Sequence, residues 1–330
     1  MKGVNIMESK IVNWGVIGCA GIADSAVIPG INAASNAKLY AISSRNKEKL
    51  EDYSQKHKPV KSYQSYNELL EDPDIDAVYI PLPNSLHCEW VIKAAEKKKH
   101  ILCEKPLGVT SKEVEVMRKV CDENGVLLME AFAYRHSPLT LKVKSLVEEG
   151  MIGKLKFIEA NFSYVLTDMS NVRMNKTLGG GATYDVGCYN LNIIRYIAGS
   201  EPISIFATGE IGEKSSVDES SCIMMEFKDG LKAVSYCALN SMDRCGYTLV
   251  GESGVIEVPV KFNDKGTTKI ILKREIGIEE INIDCPDNYM LEVEQFGRCI
   301  TLGEKPLLTL EDSYNNARVI EDSLNKIAVF

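Results

Sequence analysis

Between Ile11 and Met129, short apolar runs alternate with amphipathic patterns of helical period, and this alternation limits the possible folds more than any other feature of the sequence. Because strand–helix–strand repeats place successive strands in parallel, the pattern predicts a doubly wound parallel sheet. The predicted strands are Val12–Ile17, Lys38–Ser43, Ala77–Ile80, His100–Cys103 and Val126–Met129. The predicted helices between them are Lys47–Lys56, Leu86–Lys98 and Ser111–Asn124.

After Pro138 the pattern changes, and alternating segments of strand period predominate. With one earlier strand at Lys156–Phe162, they predict a largely antiparallel open sheet: Ile203–Thr208, Ser221–Phe227, Ala233–Leu239, Tyr247–Gly251, Val255–Val260, Thr268–Leu272 and Glu280–Ile283. The helical patterns of this half are Pro138–Glu149, Tyr184–Ala198, Tyr289–Leu302 and Leu310–Lys326. A chain of 330 residues is long for one domain, so we expect two, residues 1–130 and an α+β domain in residues 131–330, with a cleft between them.

Composition excludes several classes of protein. The net charge of -8 and the pI of 5.3 argue against nucleic-acid binding, and the one basic run, Lys97–His100, is typical of a solvated helix end. No apolar stretch is long enough to cross a membrane, and Met1–Lys10 lacks the apolar core of a signal peptide. Ten cysteines without C-x-x-C spacing and four scattered histidines predict a cytoplasmic protein with free thiols and no metal site.

A glycine turn follows the first predicted strand. The sequence Gly18-Cys19-Ala20-Gly21-Ile22-Ala23 lies between that strand and a helix, where backbone N–H groups can hold a pyrophosphate. Alanine replaces the second and third glycines of the G-x-G-x-x-G pattern, so an ordinary strand-to-helix turn is the alternative. We predict that all six residues contact a dinucleotide in a Rossmann domain.

The end of the second strand indicates which dinucleotide binds. An NAD enzyme usually carries an acidic residue about 20 residues after the glycine turn, but this chain has Ser43-Ser44-Arg45 there. Hydroxyls and a guanidinium can bind a 2′-phosphate, which favours NADP and leaves NAD possible. The alternative is a purely structural role, in which Ser44 or Asn46 forms a helix N-cap, and it is compatible with phosphate binding.

Two later segments carry groups suited to proton transfer. Lys105, in Glu104-Lys105-Pro106, follows a buried strand at the sheet edge that binds ligands in such folds. Asp185 and Tyr189 share one face of the helix that follows the glycine run starting at Gly179. A lysine near a tyrosine hydroxyl favours the phenolate, which can exchange a proton with a substrate hydroxyl. The alternatives are a surface lysine, a helix-capping aspartate and a core tyrosine.

Five motifs together resemble the Gfo/Idh/MocA oxidoreductases over nearly the full chain. They are Gly18–Ala23, Pro83-Asn84-Ser85-Leu86-His87, Glu104-Lys105-Pro106, Glu130-Ala131-Phe132 with Tyr134-Arg135-His136, and Gly179–Tyr189. The resemblance implies that Lys105 is catalytic, that Asp185 orients the substrate and that Tyr189 is the acid/base, as in the tyrosine branch of the family.

The resemblance also implies roles outside the proton-transfer groups. Pro83, Asn84, His87 and Glu104 would contact the cofactor beside Lys105, and Arg173, in the loop before the glycine run, would reach the substrate together with Lys105, Asp185 and Tyr189. The family is usually dimeric or tetrameric through the sheet of its second domain, so we expect a homodimer or homotetramer.

The motifs and the resemblance predict an NADP-preferring oxidoreductase that moves hydride between nicotinamide and a hydroxyl or carbonyl of a sugar, polyol or related molecule. In this scheme Tyr189 removes the hydroxyl proton, Lys105 lowers the pKa of Tyr189, and Asp185 orients the substrate. Two alternatives stay open: a non-catalytic NADP-binding sensor, and a reductase of a dicarbonyl or keto sugar. Substrate choice is assigned to loops at 165–177 and 240–245, whose sequences do not identify the substrate.

Overall fold

The nucleotide-binding pattern folds as one fully parallel sheet. The computed structural model describes residues 10–327, so the prediction for Met1–Lys10 falls, apart from Lys10, outside the described residues. The sheet has the order β3-β2-β1-β4-β5-β6. Its strands are β1 Val12–Ile17, β2 Ala37–Ser43, β3 Lys61–Tyr63, β4 Ala77–Ile80, β5 His100–Glu104 and β6 Leu128–Ala131. The strand order reverses at β1, and the predicted doubly wound fold is confirmed.

Helices cover both faces of this sheet. They are α1 Ile28–Ala33, preceded by a π-helical turn at Ala23–Val27, α2 Lys47–His57, α3 Tyr66–Glu71, α4 His87–Glu96 and α5 Ser111–Asn124. Fully buried Trp14, Tyr79 and Leu102 fill one side, and Val78 and Ile101 fill the other. This two-sided burial is why the strands have continuous apolar sequences.

The sequence patterns did not predict β3 or α3, and the predicted strand Val126–Met129 begins two residues before the observed β6. Gly125 ends α5 in the left-handed conformation with φ +67°, and the N–H of Val126 still bonds the carbonyl of Cys121 at 3.1 Å. Gly125 and Val126 are therefore still bonded to the end of the helix, and β6 begins only at Leu128. The strand β3 has only three residues, too few for a recognisable alternation.

The second half is an eight-stranded sheet of order β14-β13-β12-β11-β7-β10-β9-β8, antiparallel except where β7 meets β10. Its strands are β7 Leu155–Val165, β8 Ser204–Ile211, β9 Asp218–Glu226, β10 Lys232–Ala238, β11 Asn240–Gly251, β12 Gly254–Val258, β13 Gly266–Arg274 and β14 Gly277–Cys285. The helices are α6 Pro138–Glu148, α7 Cys188–Ala198, α8 Asn288–Leu302 and α9 Leu310–Ile327. The predicted α+β architecture is confirmed.

One predicted loop is a strand. The segment 240–245 belongs to β11, whose pairing with β7 shifts register between Asn240 and Arg244. The hydroxyl of Ser163 donates to the carbonyl of Met242 at 2.7 Å across this irregularity. Exposed polar residues at the shift hide the two-residue period, which is why the strand was not predicted.

The two halves are packed through helices as well as through the cleft. A Cβ on Gly30 of α1 would lie 2.9 Å from the backbone carbon of Tyr289, so the backbones of α1 and α8 are in direct contact. This contact fixes the first turn of α8 against the nucleotide-binding half. Among the described helices, none is long and apolar enough to cross a membrane.

Candidate active site

A cavity of about 860 Å³ opens where the carboxyl ends of β4 and β5 face the second sheet. Eleven of the residues predicted for the site line it: Cys19, Ala20, Gly21, Ile22, Pro83, Asn84, Glu104, Lys105, Arg173, Asp185 and Tyr189. Six others lie behind or beside its surface: Gly18, Ala23, Ser43, Ser44, Arg45 and His87. The structure therefore brings the two predicted ends of the site, nucleotide and chemical, into one cavity.

The glycine turn has the geometry of an anion cradle. Gly18 has φ +110°, and its N–H donates to the carbonyl of Ser43 at 2.9 Å, which holds the turn against β2. A Cβ on Gly21 would meet nothing within 4 Å, so a ligand has room to approach the backbone there. The helical turn that follows directs its first N–H groups to the same place. The residues present fit a dinucleotide pyrophosphate.

The segment after β2 divides into structural and exposed parts. Ser43 is fully buried, and its hydroxyl donates to the carbonyl of Val16 at 3.2 Å. The hydroxyl of Ser44 accepts from the N–H of Asn46, and the Asn46 side chain caps α2. This is the helix N-cap that the sequence offered as the alternative. Arg45 is exposed, with its guanidinium 5.4 Å from the ring centroid of Tyr66. Of the three residues predicted to bind a 2′-phosphate, only Arg45 carries a charge, and its side chain is exposed to solvent.

Lys49 is a cofactor-end residue that the sequence did not single out. It lies in the first turn of α2, four residues after Arg45. Its side chain is exposed and lines the cavity near Cys19. Burial raises the pKa of the Cys19 thiol, and the charge of Lys49 acts in the opposite direction, which shows that the ammonium and the glycine turn are close. Lys49 and Arg45 give this end of the cavity two cations.

His87 and Asn84 join the loops around the cavity. Each ring nitrogen of the fully buried His87 lies beside a carbonyl oxygen, that of Pro106 at 2.9 Å and that of Leu82 at 2.8 Å. Burial lowers the pKa of His87. Asn84 donates from Nδ2 to the carbonyl of Gly179 at 2.8 Å. His87 therefore braces the Glu104-Lys105-Pro106 turn, whose Lys105–Pro106 peptide bond is cis, from behind the cavity.

Lys105 and Asp185 form a buried ion pair. The Lys105 ammonium donates to the backbone carbonyl of Asp185 at 2.6 Å and lies 3.4 Å from its Oδ1. Arg173 Nε is 2.8 Å from the same Oδ1, and the hydroxyl of Tyr164 donates to Oδ2 at 2.7 Å. The side chains of Lys105 and Asp185 are only 12% and 11% exposed. The Asp185 carboxylate thus lies between two cations and accepts from one phenol, and the alternative that it caps the helix is not the arrangement observed.

Electrostatics keep this pair charged. Burial alone would lower the pKa of Lys105, but Asp185, Cys188 and Glu104 together outweigh it, and the pKa lies above its ordinary value. Burial alone would raise the pKa of Asp185, but Lys105 and then Arg173 hold it below its ordinary value. Glu104 accepts from the hydroxyl of Tyr79, and burial raises the pKa of its carboxyl although Lys105 opposes the shift.

Tyr189 lies in an aromatic wall beside this pair. Its ring centroid is 5.2 Å from those of both Phe132 and Phe262, and the Lys105 ammonium is 4.9 Å from it. Burial, followed by the neighbouring Tyr289, raises the pKa of Tyr189 well above its ordinary value. The net shift is upward because burial dominates it, and the lowering of this pKa by Lys105 stays a prediction. Tyr189 holds its proton.

Glycines allow the loop before α7 to fold against the second sheet. A Cβ on Gly180 would lie 2.4 Å from the carbonyl oxygen of Arg173, and one on Gly181, which has φ +125°, would lie 2.1 Å from Oδ1 of Asp218. Asp218 accepts from the N–H of Thr183 at 2.7 Å and so anchors the turn that presents Asp185. The close backbone at Gly180, and the positive φ with the close carboxylate at Gly181, are the reasons for glycine at these positions.

The whole chain matches proteins of known class. The D-xylose 1-dehydrogenase (NADP(+)) 2 of Haloferax volcanii is 33% identical over 311 residues, which cover 93% of this chain and 95% of the relative. The chain belongs to the Gfo/Idh/MocA oxidoreductase family. The model described as "Oxidoreductase family, NAD-binding Rossmann fold" matches residues 12–132 of this family member, and the "GFO/IDH/MocA C-terminal domain" model matches residues 140–257. The predicted family and the Rossmann class of the first half are confirmed.

Two further relatives of this Gfo/Idh/MocA protein cover nearly all of it. A trans-1,2-dihydrobenzene-1,2-diol dehydrogenase of Xenopus laevis is 29% identical over 326 residues, covering 96% of this chain and 98% of the relative. The crystal structure of a 3-ketoreductase from Actinomadura kijaniata in complex with NADP and TDP-benzene has a TM-score of 0.90 and 25% identity, covering 96% of this chain and 98% of that one. The chain is thus similar along its full length to family members that act on hydroxyl or keto groups.

This Gfo/Idh/MocA site contains residues that sequence reasoning missed. Besides Lys49, they are Tyr164 on β7, Phe262 and Asn263 after β12, and Tyr289 at the start of α8. None lies in a recognisable motif, because their positions depend on how distant strands and helices meet. Within residues 10–327 no group of three or more histidine, cysteine, aspartate or glutamate side chains is placed to hold a metal ion.

Proposed function

We propose that the chain is an NADP-preferring oxidoreductase that transfers hydride between nicotinamide and a hydroxyl or carbonyl group of a sugar or related polyol. The observation that carries the proposal is the meeting, in one cavity, of the glycine turn, the Lys105–Asp185 ion pair and the protonated Tyr189. Residues 1–130 would bind the cofactor and residues 131–330 the substrate. A sensor would have no use for a buried donor beside a fixed ammonium, which argues against the non-catalytic alternative.

The residues divide the chemistry between them. A bound nicotinamide supplies or accepts the hydride. Tyr189 holds a proton on its hydroxyl and donates it to the substrate oxygen as a carbonyl is reduced, or takes it back when an alcohol is oxidised. An ammonium has three N–H donors, and Asp185 engages two on Lys105, so the third is available to the same substrate oxygen. Asp185, held in turn by Arg173 and Tyr164, keeps the ammonium in place.

Reduction of a keto sugar is the second candidate, and the state of Tyr189 favours it. A general acid must be protonated before the step, and the pKa of Tyr189 lies well above its ordinary value because of burial. In oxidation the same hydroxyl would first have to lose its proton. A 3-ketoreductase is among the solved structures that this chain resembles, which supports the same direction.

The coenzyme preference gives a prediction about two cations. We expect Arg45→Ala combined with Lys49→Ala to weaken NADPH binding about 10²–10⁴-fold, at roughly 1.5–3 kcal/mol for each lost hydrogen bond to a charged group, and to leave NADH binding unchanged. The measurement is the dissociation constant of each coenzyme by nicotinamide fluorescence. Lys47→Ala is the matched control, because Lys47 lies in the same helical turn and pairs with Glu51 on the surface. Equal losses for both coenzymes would contradict a 2′-phosphate role.

The proposed function is tested on the purified wild-type chain. NADPH and NADH are titrated first, and a panel of aldoses, inositols and keto sugars is then followed at the nicotinamide absorbance in both directions. We expect NADPH to bind more tightly than NADH and at least one sugar or keto sugar to turn over. Tight binding without turnover of any panel member would favour the sensor, and absence of binding would reject both assignments.

The assembly and compartment complete the proposal. The outer face of the second sheet carries exposed Phe206 and Met224, which are paired across β8 and β9, with Val234 beside Met224 on β10. An apolar sheet face of this kind supports a homodimer or homotetramer formed through it, which light scattering of the purified chain would measure. All ten cysteines are free thiols, which supports a reducing cytoplasm.

A further inference from the structure

Tyr289 is a cavity residue to which the mechanism above gives no task. It lies in the first turn of α8, where the carboxylate of Asp287 accepts from its N–H at 3.0 Å. Its hydroxyl oxygen accepts from Nδ2 of Asn263 at 3.1 Å. Among residues 10–327 no acceptor for the phenol proton itself is found. Tyr289 therefore presents a donor that the described part of the chain does not use.

The side chain of Asn263 also has a polar atom without a hydrogen-bond partner among the described residues. Its Oδ1 is buried and receives no hydrogen bond from any described residue. If the amide were turned over, Oδ1 would accept from Tyr289 and the NH₂ group would be left without a partner. In either orientation the pair of Tyr289 and Asn263 retains one donor and one acceptor that the described residues do not satisfy. Polar groups in native proteins normally have partners, and the phenol of Tyr289, which lines the cavity, is the group of the pair that a ligand would satisfy.

The hydroxyl of Tyr289 is held firmly and near the reacting centre. The backbone contact between Gly30 and Tyr289 fixes the start of α8 against α1. Tyr289 and Tyr189 line the same cavity, and Tyr289 contributes to the raised pKa of Tyr189. The ring of Phe262, the residue before Asn263, contacts Tyr189 directly. Tyr289 is therefore placed to contact a substrate whose reacting oxygen is bound at Tyr189.

We propose that Tyr289 donates a hydrogen bond to the hydroxyl on the carbon next to the reacting carbon, and that Asn263 positions it for this contact. The inference rests on the proposed function and narrows its substrates to compounds in which the reacting carbon has a hydroxylated neighbour: vicinal diols in oxidation and α-hydroxy carbonyls in reduction. A sugar hydroxyl can accept from the phenol of Tyr289, whereas Asn263, whose Oδ1 is buried, acts through the position of that phenol. A site that hydrogen-bonds a hydroxyl discriminates against the analogue that lacks it.

The test compares Tyr289→Phe with wild type on a sugar and on its analogue lacking the neighbouring hydroxyl. The first pair is D-xylose and 2-deoxy-D-xylose, followed by the corresponding pair for the panel sugar with the highest kcat/KM. We expect the variant to lose about tenfold in kcat/KM on the full sugar and to change little on the deoxy sugar. Asn263→Ala should lower the same ratio by a smaller factor. Tyr40→Phe is the matched control, since that phenol binds Asp74 at the surface far from the cleft.

A binding measurement distinguishes failure of this inference from failure of the proposed function. The affinity of each sugar for the NADP⁺ complex, and of NADPH for each variant, is measured by fluorescence. Equal losses on both sugars, no loss on either, or a loss of NADPH affinity in Tyr289→Phe would overturn the inference and leave the proposed function standing. A wild-type chain that binds NADPH but turns over no sugar or polyol would reject the proposed function, and the inference with it.

Discussion

Replacing Tyr189 with phenylalanine should lower turnover about 100-fold or more while NADPH affinity stays near that of wild type, because the change removes only the proton donor. The ring remains in its aromatic wall with Phe132 and Phe262, so the packing of the cavity is preserved. Single-turnover rates with NADPH and a keto sugar, alongside NADPH titrations, measure the two effects. Wild-type turnover in Tyr189→Phe would remove the residue from the mechanism.

The pH dependence distinguishes this role from a packing role. Since the pKa of Tyr189 is raised well above its ordinary value by burial, the phenol stays protonated from pH 6 to 9, and reduction by the wild type should be flat there as far as Tyr189 is concerned. Oxidation uses the phenolate, whose fraction rises about tenfold per pH unit below the pKa, so the oxidation rate should rise with pH. The residual oxidation by Tyr189→Phe should lack this rise. A wild-type oxidation rate independent of pH would contradict proton transfer by Tyr189.

Local patterns were sufficient to predict the frame of the molecule. The apolar strand of β1, the turn from Gly18 and the following helix are adjacent in sequence, so their geometry depends on local rules. The same holds for Lys105, which follows β5 directly and must therefore emerge at the ligand-binding edge of the sheet. Asp185 lies in the π-helical turn at Thr183–Gly187 and Tyr189 in the first turn of α7 directly after it, so their proximity is also local. The structure places all three of these side chains in one cavity.

What could not be predicted depends on distances between segments far apart in the chain. The sequence puts Lys105 near Tyr189, but it does not reveal that the carbonyl and carboxylate of Asp185 engage the ammonium, or that burial raises the pKa of Tyr189. The contacts of Tyr164 with Asp185 and of Asn263 with Tyr289 join β7 to the turn before α7 and a loop to α8. No spacing within one segment encodes such contacts.

Replacing Lys105 with methionine should have two separable effects. Methionine preserves the length of the side chain and removes its charge, so the substrate oxygen loses a fixed cationic donor and kcat should fall about 10²–10³-fold. Asp185, only 11% exposed, also loses one of its two cations, and the free energy of unfolding should fall by about 3 kcal/mol. Steady-state kinetics and urea unfolding measure the two effects on the same preparations.

The double variant Lys105→Met with Asp185→Asn separates catalysis from folding. It removes both charges of the buried pair, and Arg173, which is 41% exposed, can be solvated once its carboxylate partner is gone. The amide of the asparagine retains an acceptor for the hydroxyl of Tyr164. Most of the lost stability should therefore return, whereas turnover should stay at the level of Lys105→Met or below. Recovery of turnover together with stability would mean that Lys105 serves only to neutralise Asp185, and the ammonium would then have no part in the chemistry.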